Sequence, residues 1–338
     1  MAEIVIPVEI RNPGAYLAAC GVAEVVGAFD AGAVSRWERR PVLLGATSLS
    51  ASVCIIQTGI AESQLTASLL EALSSRGRWG ARRLDGRQDA LQDVGTDEPL
   101  ASVRVTVHIN HKAEEFPIDY WYHLLARVDD AKLKDKLKEG KSAWKFWSGR
   151  MSIQKTLMGE AKKPGLISGS LEINGEAPSS IASLLSVETE TGSSLNLDAA
   201  VRRGALDRGI AANEAKRATG DVAAARPALE LLAAIGLSSF FPPRRLGGER
   251  DRGVHSTAGC DGKNLTYCAW ETEAPLALAR LLARGVSVPG TKVLERLIAR
   301  RVSAGGKIYR FDYARGAGAK LAGLADSEEE DDGGTDAD

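Results

Sequence analysis

What this chain has little of narrows the field first. Only four cysteines occur in 338 residues (Cys20, Cys54, Cys260 and Cys268), with no CxxC pair and no dense spacing. That excludes a disulfide-stapled secreted scaffold and points to the reduced thiols of a cytoplasmic protein. No run approaches the roughly 18 apolar residues that a membrane-spanning helix requires, so no membrane partner is expected. The opening MAEIVIPVEIRNPG lacks a cationic stretch leading into an apolar one, which argues against a secretory signal. Aromatic residues make up 5% of the chain, and its 35 glycines and 12 prolines are too few for a fibrous protein. No segment repeats at a fixed period.

What is present is an ordinary globular balance, 44% apolar and 26% charged, enough for a sizeable core and two domains. A formal net charge of −1 conceals an uneven distribution. The segment DSEEEDDGGTDAD at 326–338 carries eight acids and no base, so removing its eight negative charges takes the remainder from −1 to +7. The body is basic. The tail is an aromatic-free acidic ribbon that buries too little surface to fold. Two roles stand open for it: local solvation, or an intramolecular mimic of nucleic acid competing for a basic face.

Periodicity predicts an α+β fold. A mixed sheet-and-helix domain spans 1–180, a more helical domain spans 181–322 beyond a soft boundary near 175–190, and a disordered acidic tail occupies 323–338. EIVIPVEI alternates as a half-buried strand does. Asn12 suits an N-cap and Pro13 the first helical position, opening a helix rich in Ala and Gly that another backbone can approach closely. PVLLGA and SASVCIIQT read as a hairpin, ESQLTASLLEALSS as an amphipathic helix, and ASVRVTVHIN as a strand. The arginine-rich stretch 76–99 has no period and reads as a loop, and 118–138 turns helical. Further on, RPALELLAAIG is a helix opened by Pro227 and closed by Gly236. LTYCAWET is a strand, APLALARLLARG and TKVLERLIARR are helices, and KIYRFDYA is a last strand.

Enzyme constellations are poorly represented. GKS at 140–142 would end a phosphate-binding loop only with glycine at 135, which is Asp135. RGAGAKLAG has Gly316 and Gly318, but the third glycine falls at 323 rather than 321, so a dinucleotide turn is not expected. His108, His111 and His123 offer a metal-dependent nuclease reading without the adjacent His-Asp pair of metal-dependent phosphohydrolases. His255, Cys260 and Cys268 match no common zinc spacing. No catalytic residue, metal or cofactor is expected.

Basic and aromatic clustering is the better signal. Lys132 to Lys163 holds ten bases against three acids, and within it KSAWKFWSGR sets Trp144 and Trp147 one helical turn apart. Lysine and arginine neutralise phosphates, and an indole is a stacking face that any base tolerates. Lys141, Lys145, Arg150 and Lys155 are the candidates for gripping a nucleic-acid backbone, with Trp144 as a wedge or stacking face. In PPRRLGGERDRG, Arg244 and Arg245 follow two stiffening prolines, placing guanidinium forks at a groove or a displaced strand. The arginines of the 76–87 loop (Arg76, Arg78, Arg82, Arg83 and Arg87) rank third.

Several segments in succession resemble one family. RNPGAYLAACGVAEVVGAF resembles its N-terminal strand-to-helix signature, and FPIDYWYH followed by KFWSGRMS its central aspartate–aromatic and Trp-x-Gly segments. ARPALELLAAIGLSSFFPPR is the closest match, and LTYCAWETEAPLALARLL resembles the strand and helix after it. The family is the Cas-eight-type large subunit of the type I CRISPR interference complex (Cascade), in the smaller variant of subtype I-G, formerly I-U. The resemblance covers roughly residues 5–315. It departs at the Tyr120-Trp121 pair and at SSLNLDAAVRRGALDRGIAAN, and it offers no counterpart of the tail. It implies a non-catalytic subunit near the 5′ end of the guide RNA, in contact with the backbone and other Cascade subunits. It further implies recognition of a protospacer-adjacent motif in double-stranded target DNA, help in strand opening, and recruitment of a helicase–nuclease in trans. A structural subunit of the same complex that reads no DNA motif is the alternative within the family.

Overall fold

The computed structural model describes residues 1–44, 47–83, 86–95, 100–118, 153–160, 163–167, 171, 175–190, 194–195, 197–199, 224–238, 240, 264–303 and 309–317. Helices and sheets are both present, and the class is α+β. The chain opens with β1 (Ala2–Val8) and α1 (Pro13–Phe29). Asn12 caps α1 by accepting from the Gly14 N–H at 3.1 Å, and Pro13 takes a position where no N–H is required. β2 (Val34–Leu44) and β3 (Thr47–Thr58) form the expected hairpin, and β1 pairs with the far edge of β3. One face of this sheet buries Ile4, Ile6, Trp37, Cys54 and Ile56.

After α2 (Glu62–Ser74) comes a second antiparallel sheet: β4 (Trp79–Arg83), β5 (Gln88–Ala90), β6 (Leu100–Ile109) and β7 (Lys112–Ile118), in the order β5-β4-β6-β7. The stretch expected as loop over 76–99 therefore contains two strands. Trp79 and Ala81 alternate inward against Val103 and Val105, and that short apolar pattern is obscured in sequence by the arginines before and after it. The middle of the chain contributes α3 (Ile153–Met158), the short pair β8 (Gly159–Glu160) and β9 (Lys163–Pro164), α4 (Ile181–Ser186), and the short pair β10 (Thr189–Glu190) and β11 (Ala224–Ala225).

Helix α5 (Pro227–Ser238) packs directly on α1, and here a glycine differs from its expected role. Gly236 lies inside the helix rather than closing it. A Cβ built there would stand 2.0 Å from the Leu17 carbonyl oxygen, and one at Gly21 would stand 2.1 Å from that of Leu232. Two backbones touch at this crossing, and only glycine fits. A buried polar cluster locks the same ends: Asn12 donates to Asp198 at 2.7 Å, and Arg226 grips Asp198 with two N–H···O bonds of 2.7 Å.

The last elements are β12 (Asn264–Trp270), β13 (Ala274–Pro275), α6 (Leu276–Ala283), β14 (Val293–Ser303), β15 (Tyr309–Phe311) and β16 (Arg315–Gly316). β13 joins the edge of β2, so the first sheet runs β1-β3-β2-β13. β14, expected as a helix over 291–301, is the central strand of a third antiparallel sheet. β12 lies on one side of it, and β15 and β16 lie on the other. One hydrophobic core takes residues from both sides of the expected 175–190 boundary, from Ile4 through Leu232 to Phe311.

Candidate nucleic-acid interface

The third sheet is fastened by its aromatics. Tyr267 donates to the Ile10 carbonyl at 2.7 Å, Tyr16 to the Cys268 carbonyl at 2.6 Å, and Trp270 Nε1 to the Ser35 carbonyl at 3.0 Å. Tyr16 stacks on Trp37 with centroids 5.0 Å apart and meets Tyr267 at 4.2 Å, inside a buried cluster. These contacts decide which face of the sheet is inside. Leu265, Tyr267, Ala269, Leu297, Ala299 and Phe311 point into the core.

Strand alternation then places the other residue set outward. Arg296 pairs in register with Cys268, and Arg300 with Asn264. Arg315 of β16 stands opposite Ile298, midway between the two arginines. All three arginines are exposed. Arg296 and Arg300, four strand residues apart, are separated by about 13 Å, and Arg315 lies diagonal to each at about 7–8 Å. Among the described residues no carboxylate forms an ion pair with any of them: Arg296 donates a long bond to the Gly285 carbonyl at 3.4 Å and hydrogen-bonds the Cys268 thiol beside it. Arg11 adds a fourth exposed cation at this edge, where its carbonyl accepts from the Ala314 N–H at 2.7 Å. Tyr313, two residues from Arg315, is the one exposed aromatic among the described residues.

Most of the other described arginines are paired with acids. On the outer face of the first sheet, Arg36 reaches Glu38 and Glu273 at 2.8 Å each, and Arg40 reaches Glu38 at 3.0 Å. In the 76–87 stretch, Arg78 pairs with Glu71 and Arg83 with Asp89, leaving Arg76 and Arg82 exposed. Arg104 bridges Glu115 at 2.6 Å and Gln88 at 2.7 Å. On the β14 face Asp312 stands beside Arg300, its N–H donating to the Arg300 carbonyl at 2.9 Å. Its carboxylate accepts from the Tyr313 N–H, and no described acid forms an ion pair with Arg296, Arg300 or Arg315. Guanidinium forks so placed suit an anionic ligand.

Of the residues singled out in sequence, Lys155 lies in α3, half-buried and already engaged by a neighbour. Lys141, Trp144, Lys145, Arg150, Arg244 and Arg245 lie outside the described residues, as do residues 119–138 and the acidic tail. The sequence alone does not single out Arg296, Arg300 and Arg315. The spacing of 296 and 300 suits one face of a helix as well as one face of a strand, and Arg315 joins them only through strand pairing.

Other chemistry is sparse. His108 Nε2 accepts from Arg78 at 2.7 Å, since guanidinium has only donors to offer, and this occupies the lone pair a metal would require. No group of three His, Cys, Asp or Glu is placed to hold a metal among the described residues. Cys20 and Cys54 line a cavity of about 460 Å³ beside Trp37 and Trp270. Burial pushes the Cys20 thiol up to about 12, against the lowering effect of its Tyr16 hydrogen bond, and raises Cys54 well above its ordinary value. Neither is a thiolate nucleophile at neutral pH. Cys20, Cys54 and Cys268 are free. No helix among the described residues is long and apolar enough to cross a membrane. Comparison with known proteins finds no matching family, curated protein or solved structure.

Proposed function

We propose that this chain is a non-catalytic, nucleic-acid-binding subunit: the large subunit of a type I-G CRISPR interference complex. In that role it contacts guide RNA and the other Cascade subunits, recognises the protospacer-adjacent motif of the target duplex, and hands the opened DNA to a separate helicase–nuclease. The observation that carries the nucleic-acid part is the convergence of Arg296, Arg300 and Arg315 on one exposed sheet face without acidic partners. The ordered succession of family-like segments supports the assignment to Cascade, and the +7 charge of the chain without its last thirteen residues suits a phosphate-bearing partner. In such a complex guide pairing reads sequence, while protein side chains grip backbone and read a short flanking motif.

Co-expression of the tagged chain with its genomic neighbours and a guide RNA tests this reading. The expected outcome is a stoichiometric ribonucleoprotein whose duplex binding depends both on the flanking motif and on this subunit. Assembly with motif-independent binding would favour a purely structural subunit. Purification of the chain alone, free of RNA, would overturn the assignment.

A further inference from the structure

The same sheet face has a second anionic candidate, carried by the chain itself. β16 pairs with β14 at Leu297↔Gly316 and Ile298↔Arg315, and the Ala317 N–H donates to the Arg296 carbonyl at 2.8 Å. The backbone is therefore still bonded to the cationic strand at residue 317, nine residues before the first acid of the tail, Asp326. The connecting GAGAKLAGLA is rich in small residues and contains no acid. Extended, the nine residues from 317 to 326 span about 30 Å, more than twice the roughly 13 Å between Arg296 and Arg300. Eight carboxylates in thirteen residues thus begin within easy reach of three guanidinium groups that lack acidic partners.

We infer that residues 326–338 dock in cis on the Arg296–Arg300–Arg315 face and compete there with nucleic acid, an inference that rests on the nucleic-acid reading of that face. Exposed ion pairs are individually weak and screened by salt, so the docked tail is a displaceable occupant rather than a lock. The short tether compensates by holding the acids at an effective concentration of about millimolar. A polyanion with enough phosphates then wins the face, while a weak or brief contact does not. The tail in this way raises the threshold for non-specific binding.

The test uses the full chain and a full-length variant whose eight acids become amides (Asp326→Asn, Glu328→Gln, Glu329→Gln, Glu330→Gln, Asp331→Asn, Asp332→Asn, Asp336→Asn and Asp338→Asn). Each is titrated by fluorescence anisotropy against labelled mixed-sequence single-stranded DNA, with and without Arg296→Gln, Arg300→Gln and Arg315→Gln. The amide variant is expected to bind about five- to twentyfold tighter at roughly 50 mM salt, with the gap closing toward 200 mM. That gain is expected to vanish in the triple Gln background. An unchanged affinity, or the same gain with the three arginines removed, would overturn cis docking, because a merely global charge effect does not depend on this face. If the full chain and its amide variant both fail to bind, the nucleic-acid reading of the face falls. If both bind equally well, only the tail inference does.

Discussion

Asp30 closes α1 at the end where the helix dipole disfavours negative charge, yet it is held ionised. Its carboxylate accepts from the Thr58 hydroxyl at 2.6 Å, the Gly59 N–H at 2.7 Å and the Gly32 N–H at 3.0 Å. The Thr58 bond chiefly, and the Gly59 N–H after it, lower its pKa below the usual carboxylate value, against a smaller opposing effect of burial. A lowered folded value means that the ionised form stabilises the fold above the ordinary aspartate pKa of about 3.9, and that this contribution is lost as pH falls through the folded value. Asp30→Asn is therefore expected to be less stable than the parent at pH 7, with the two converging below about pH 4. Thermal melts across that range check it, and a gap that persisted at acid pH would exclude the carboxylate as the cause. The cap at Asn12 was legible from its neighbours in sequence. Its bond to Asp198 was not, because 186 residues separate the pair.

Among the elements, the crossing of α1 and α5 depends on what is missing from two residues. The small-residue content of α1 signalled a close approach, but the partner and the contact point came from packing. A methyl group at Gly21 would overlap the Leu232 carbonyl, and neither backbone can yield without disturbing Tyr16 and Leu17, both fully buried. Gly21→Ala and Gly236→Ala are each expected to cost about 1–3 kcal/mol or more, as overpacking does. Urea denaturation midpoints measure this. A stability within about 0.5 kcal/mol of the parent would show that the helices separate easily. The misreading of β14 has a physical origin at the same scale. Val293, Leu294, Leu297, Ile298 and Arg301 fit a helical stripe, and nothing local contradicts it. The strand prevails because β12, β15 and β16 supply hydrogen-bonding partners along both edges, and Leu297 and Ala299 then reach the core.

At the scale of the whole molecule, charge is sorted rather than balanced. Acids pair with most of the described arginines on the first two sheets, Arg296, Arg300 and Arg315 of the third sheet hold no ion pair with a described acid, and a run of eight acids is concentrated at 326–338. Exchanging charge on the third sheet should leave the fold intact, since Arg296 and Arg300 face solvent and hold no ion pair. Arg296→Glu with Arg300→Glu is expected to weaken single-strand binding at least about tenfold at low salt. It should also make the dependence of log K on log salt shallower by about 1 to 2, with an unchanged melting temperature. Weakened binding with an unchanged salt slope would mean that these residues do not touch phosphate.

Local chemistry in the sequence determined the α+β class, the Asn12 cap, the β2–β3 hairpin, the basic body and the acidic end, because caps, alternation and net charge are properties of neighbours and sums. Tertiary structure alone decided that 293–303 is a strand, that Gly236 is a contact rather than a cap, and that Arg296, Arg300 and Arg315 share a face. The reason is the same in each case. Pairing partners and packed backbones far away in the chain choose between conformations that the local sequence permits equally, and only once Tyr16, Tyr267 and Trp270 have turned one side of the third sheet inward does the other become a cationic surface.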